Sequence, residues 1–158
     1  MYCIGFFIYS IFLSFFNLAA DDLITIKNNI LNVYHQHEAE KLVGTKSTNI
    51  DITKDGFLRY KRILNNNKTE YFSVKLNKIN TLTYLGTERG GWVLLKCETS
   101  SVIYQTYKDP AGDVDSMMNE LPIPFKSVTP EDLTILEDNF RKLKTSTENH
   151  VQSVDIRR

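Results

Sequence analysis

Cysteine is almost missing from this chain of 158 residues: Cys3 and Cys97 are the only two, and Cys3 falls in a leading stretch that reads as removable. A mature chain left with one thiol has no internal disulfide. That excludes the bridged framework on which small secreted animal domains rely and favours a bacterial envelope protein. Cys97 closes the apolar run "WVLLKC" and reads as a buried, inert thiol, not a nucleophile.

An excess of one charge is missing too. Lys plus Arg and Asp plus Glu number 19 each, so no overall field draws the chain to nucleic acid or to an anionic membrane. The sharpest absence is at the front, where no Asp, Glu, Lys or Arg precedes Asp21. Ile4 to Phe16 is an apolar run of signal-peptide length, and Asn17, Leu18, Ala19, Ala20 supply small residues for a peptidase, which places the mature start at Asp21. The rival reading is an uncleaved anchor, since Met1 to Ala20 is just long enough to span a hydrocarbon core of roughly 30 Å. Asp21 and Asp22, with no basic flank, favour cleavage into a periplasmic or secreted protein without stable membrane insertion.

Chemical motifs are the next gap. Histidine occurs three times, and "YHQHE" with His35, His37 and Glu38 is the only local group of metal-ligand types. On a helix His35 and His37 face different sides, so no metal site is expected there. The acidic stretch Asp109, Asp113, Asp115, Asn119, Glu120 fails the calcium-loop pattern, because Met118 stands where the sharp bend needs glycine. No serine sits in a strand-turn-helix elbow, and "GTERGG" joins two strand-like runs instead of opening a helix onto a phosphate. The expectation is a protein that is not an enzyme and carries no cofactor. A hydrolase with a dispersed pair of carboxylates ranks last among the alternatives.

What is present is pattern. Removing residues 1–20 leaves 138, a usual length for one domain. Leu23, Ile26, Ile30, Leu31 and Tyr34 recur at helical spacing and predict a first helix over Leu23 to Glu40, with Gly44 to Thr48 as a connection. From Asn49 the period becomes two. "NIDIT", "FLRYKRIL", "EYFSVKL", "INTLTYLG", "WVLLKC" and "SVIYQTY" read as strands, joined by turns at "KDG", "NNNKT", "TERGG" and "ETS". The stretch from Asp109 to Pro122 reads as an irregular loop, and Pro122 and Pro124 flank Ile123 as an extended piece that closes an edge.

"SVTPEDLTILEDNFRKL" has the marks of a helix: Thr129 as cap, Pro130 at the first position, acids early, Arg141, Lys142 and Lys144 late. Its stripe is Leu133, Leu136, Phe140 and Leu143, and the residues from 145 to 158 read as a flexible polar tail. The fold expected is α+β: an antiparallel, strongly bent sheet or partly open barrel of about six or seven strands, with an N-terminal and a C-terminal helix.

This order of elements, from Asn49 to Lys144, resembles the pleckstrin-homology-like fold, in which one helix plugs the end of a bent antiparallel sheet. The resemblance implies a binding or interaction module, and it is one of architecture alone. The basic cluster that lipid-binding members place near the first hairpin is matched only loosely by Arg59, Lys61 and Arg62, with Lys68 near the tip.

The residues singled out for ligand contact are Arg59 and Lys61, as part of a basic strand face, and Trp92, Tyr104 and Tyr107. With Tyr84, those three aromatics make a candidate stacking platform. The partner expected is an envelope protein or peptide, bound at a sheet edge, in the groove beside the last helix, or on the loop from Asp109 to Pro124. The alternative is a carrier that holds a small apolar ligand inside the rolled sheet.

Overall fold

The computed structural model describes residues 23–155, so the signal-peptide reading of residues 1–20 lies outside the described residues. Helix α1 covers 23–37. Leu23, Ile26, Ile30 and Tyr34 lie on one stripe because a helix turns about 3.6 residues at a time. All four reach the hydrophobic core, with Val33 beside them. The helix stops before the predicted Glu40, which opens a single 3-10 turn, Glu40–Val43, closed by Gly44.

Eight strands follow: β1 Thr45–Ile52, β2 Phe57–Leu64, β3 Thr69–Lys75, β4 Ile79–Thr87, β5 Gly90–Cys97, β6 Val102–Tyr107, β7 Asp115–Met118 and β8 Glu120–Phe125. They form two antiparallel sheets, one of five strands in the order β1-β2-β3-β6-β7 and one of three in the order β4-β5-β8. The architecture is α+β as expected, and the sheet is not closed into a barrel.

Three boundaries differ from the sequence reading. The predicted connection from Gly44 to Thr48 is strand from Thr45 onward, because Thr45 pairs with Leu64 and Thr48 with Arg62 across the first hairpin. The predicted loop from Asp109 to Pro122 contains β7 and the start of β8. The extended, edge-closing piece expected around Ile123 is the middle of β8, which lies at the edge of its sheet, where a missing N–H breaks no central ladder. The last helix, α2, runs Pro130–Asp155, past the predicted end at Lys144.

Turn chemistry holds the register. Gly56 takes a φ of 75° to close the turn between β1 and β2, a conformation that costs glycine little. Asn67 adopts a φ of 66° at the tip between β2 and β3, where Asn66 Oδ1 accepts from the Lys68 N–H at 3.0 Å. Asn119 is the corner where the chain leaves the larger sheet for the smaller. Its carbonyl accepts from the Cys97 N–H at 2.9 Å and its Oδ1 from the Ser100 N–H at 2.8 Å, which ties the β5-β6 turn to the bend.

The core draws Leu58, Tyr60, Phe72, Val74 and Val102 from the larger sheet and Val93, Leu95, Leu121, Ile123 and Phe125 from the smaller. From α2 it takes the predicted stripe: Leu136 and Leu143 are buried, and Leu133 and Phe140 pack against them partly covered. Thr129 and Asp132 form a reciprocal cap at the start of α2. Thr129 Oγ1 accepts from the Asp132 N–H at 3.2 Å, while the Asp132 carboxylate accepts from the Thr129 N–H at 3.0 Å.

Candidate functional site

Side chains alternate along β2, β3 and β6 and divide the larger sheet into two chemistries. Leu58, Tyr60, Arg62, Glu70, Phe72, Val102 and Tyr104 share the inner face. Arg59, Lys61, Tyr71, Ile103, Gln105 and Tyr107 share the outer one. The register sets Lys61, Tyr71, Gln105 and Asp115 side by side across four strands, with Thr69 and Tyr107 paired in the next row.

Lys61, Thr69, Tyr71, Gln105 and Tyr107 line a shallow trough of about 550 Å³. Its hydrogen bonds are those of a wet surface: Tyr107 Oη donates to Gln105 Oε1 at 3.3 Å, and Gln105 Nε2 donates to Asp115 Oδ2 at 3.2 Å. Beyond Tyr107 the trough continues toward Asp113, Val114 and Asp115.

Of the five residues singled out from sequence, two meet here, Lys61 and Tyr107. Arg59 stands on the same face one row away, its guanidinium 6.0 Å from the Phe57 ring centroid. Tyr104 and Trp92 are elsewhere. Tyr104 faces inward and donates to Glu70 Oε1 at 3.0 Å, and Trp92, in the smaller sheet, has the Arg62 guanidinium 5.7 Å from its ring centroid. The predicted aromatic platform is therefore split: Tyr104 and Tyr107 point to opposite faces of β6, and Tyr84 pairs with Val93, so Trp92 points away from it.

Sequence reading missed Tyr71, Gln105, Ile103 and Met117. Their only signal is that they alternate with core residues, which becomes informative once the pairing of β3, β6 and β7 is known.

Arg62 and Lys68, the two basic residues of this cluster on the inner side and at the tip between β2 and β3, do not form an open anion site. Arg62 Nε lies 2.5 Å from Glu70 Oε2, and Lys68 Nζ lies 3.2 Å from Glu70 Oε1 and 2.7 Å from Asp109 Oδ2. Burial alone would raise the Glu70 carboxyl. The Arg62 charge, with hydrogen bonds from Arg62, Tyr104 and Lys68, outweighs burial and holds it below its ordinary value. Asp109 is likewise held down by its bond to Lys68, and Lys68 is raised by the same contact. These groups act as mutual counter-ions.

Deeper in, the buried Glu40 carboxylate accepts from Tyr34 Oη at 3.2 Å and from Tyr60 Oη. Burial, reinforced by that carboxylate, pushes both phenols up.

At the junction of the helices, His37 Nε2 lies 3.3 Å from Asp132 Oδ2 and its Nδ1 lies 3.1 Å from the Lys126 carbonyl oxygen. His35 stacks edge-on with Tyr34. Among the described residues no group of three or more His, Cys, Asp or Glu side chains is placed to hold a metal ion, and no helix is long and apolar enough to cross a membrane.

Comparison of the chain with family models, curated proteins and solved structures returns no match.

Proposed function

We propose that this chain is a non-enzymatic binding module, periplasmic or secreted, that presents the outer face of its larger sheet to a protein partner. One observation carries the reading. Among the described residues, three of the eight large hydrophobics left exposed stand on the outer face of β6 and β7: Ile103 (37 %), Tyr107 (51 %) and Met117 (50 %).

Single exposed apolar residues need no explanation, but here Ile103 and Met117 share one row and Tyr107 stands two rows on, past Gln105 and Asp115, so that one face mixes apolar and polar groups as an interaction surface does. Ile103 and Met117 are directly paired, and Arg59, two strands from Ile103, lies in the same row. Tyr, Met, Ile and Arg together suit the centre of a protein interface. A partner that fits offers an apolar strip with a carboxylate toward Arg59 and Lys61.

The apolar-ligand carrier is less well supported, because Leu58, Tyr60, Leu95, Val102 and Leu121 fill the interior with no exposure at all. The pleckstrin-homology-like reading continues to rest on the order of elements.

The test places a photo-crosslinking amino acid at Ile103, at Met117 and, as a control, at exposed Ile135 on α2, in cells producing the protein. The expected result is one shared adduct from Ile103 and Met117, absent from Ile135. A Tyr107→Asp substitution elsewhere in the same chain should weaken that adduct about tenfold. No adduct from the sheet positions, or one indifferent to Tyr107→Asp, overturns the proposal.

A further inference from the structure

Four strands end the two sheets, and three of those edges carry a device that blocks further pairing. β1 bears Lys46 and Asp51 and is met by α1, through Lys27 on Asp51 at 2.8 Å and Tyr34 Oη 3.2 Å from Thr48 Oγ1. β7 is only four residues long. β8 carries Pro122 and Pro124, and Phe125 at its end forms a bridge with Glu38. β4 is different. It runs nine residues, "INTLTYLGT", with no charge and no proline, and its one irregularity lies at its start, between Ile79 and Thr81.

Lys144 of α2 donates to the Ile79 carbonyl at 3.1 Å, and no second strand pairs with β4 on that side among the described residues. Thr, Tyr and Ile are strong strand formers, so the edge beyond Ile79 is also a good template. Beside its first half lies a groove of about 220 Å³, with Leu82, Leu95 and Phe140 on its floor and Glu137, Arg141 and Lys144 at its rim.

We infer that β4 pairs antiparallel with β4 of a second copy, joining two three-stranded sheets into one of six. Self-pairing is favoured over a foreign strand because the sequence is complementary to its own reverse. Centred on Thr83, the pairing sets Leu82 against Tyr84 of the second copy, Thr81 against Leu85, and Thr83 against its own equivalent. Aliphatic with aromatic and Thr with Thr are favourable cross-strand pairs.

No like charges meet along the strand. Leu82 lines the groove, so Tyr84 of the second copy stands on the groove's side of the joined sheet, its Oη donating to the Thr87 carbonyl at 2.8 Å in its own chain. Leu85, 57 % exposed in one copy, is covered against Thr81 of the other. A two-fold axis through Thr83 makes the contact isologous and closed, which ends assembly at two copies. This face belongs to the smaller sheet and is independent of the partner surface proposed above.

The test is sedimentation equilibrium of the protein as purified from producing cells, with Thr83→Lys, Thr83→Glu and their equal mixture. Thr83 is exposed, so neither substitution disturbs the core. The wild type should dimerise. Each variant, with like charges set against each other, should associate at least about tenfold more weakly, and the mixture should recover the wild-type affinity. A wild type that stays monomeric at about 1 mM, or a dimer indifferent to both substitutions, overturns the inference. So does a mixture as weak as its components, because the symmetric register requires the two charges to meet.

Discussion

Replacing Glu70 by Gln tests the ionic cluster on the inner face of the larger sheet. Gln keeps the volume and can accept from one donor, but it removes the charge that Arg62 and Lys68 face. Arg62 is the more exposed to this loss in energetic terms: its side chain is only 12 % open to solvent and its guanidinium lies between the Phe72 and Trp92 rings, at 5.9 and 5.7 Å from their centroids. Removing one partner of a fully buried pair costs about 3–5 kcal/mol. Lys68 is 19 % open and retains Asp109, so the part of the loss borne by Lys68 is screened. The expected destabilisation is therefore about 2–3 kcal/mol.

Urea unfolding followed by the fluorescence of Trp92, the only tryptophan in the chain, reads this directly. With a slope of about 1.5–2 kcal/mol per molar urea, the midpoint should fall by roughly 1–2 M. The effect also has a pH signature. Glu70 ionises in the folded state below its ordinary value of 4.5, so the stabilisation is complete above that value and is lost as pH falls through the folded value. The gap between wild type and variant should be widest near neutrality and close in acid. A midpoint within about 0.3 M of wild type at neutral pH, or a gap that persists unchanged in acid, would refute the reasoning.

Two smaller perturbations follow from local geometry. Thr129→Ala removes one half of the reciprocal cap at the start of α2 and should cost about 1 kcal/mol in the same urea assay, whereas Thr129→Ser should cost little; equal losses for both would show that the hydroxyl does not matter. Cys97 is half-buried, where the sequence suggested full burial, and its thiol is pushed up to about 11, first by desolvation and then by the nearby Glu120 charge. Folded protein at pH 8 should therefore react with iodoacetamide far more slowly than protein unfolded in urea, and equal rates would contradict the burial.

Sequence was most legible where one periodicity ran without interruption. The α2 stripe follows from spacing, and its cap from Thr129 standing ahead of Pro130 and the early acids. It was least legible from Asp109 to Phe125. There β7 has too few residues to show a period, and of β8 only the extended, edge-closing piece around Ile123 was legible, from the prolines that flank it. The candidate surface was half visible. Lys61 and Tyr107 stand out as residue types, but Tyr71 and Gln105 join them only through the register of β2, β3 and β6. Tyr104 looks like Tyr107 in the sequence, and alternation alone sends it to the opposite side, into contact with Glu70.

The order of strands makes the two sheets interlocked in chain order. The hairpin of β4 and β5 is inserted between β3 and its neighbour β6, and the hairpin of β6 and β7 is inserted between β5 and its neighbour β8. The larger sheet is whole only at Met118 and the smaller only at Phe125, so the two are completed within one short stretch of chain. The two distant pairings, β3 with β6 and β5 with β8, must close long loops, which slows folding relative to a chain of hairpins alone. The chain also has no seam at which a breakpoint or an exon-like exchange could leave a viable fragment. A lineage can alter this protein at its tips and faces, but it inherits the two sheets together or loses both.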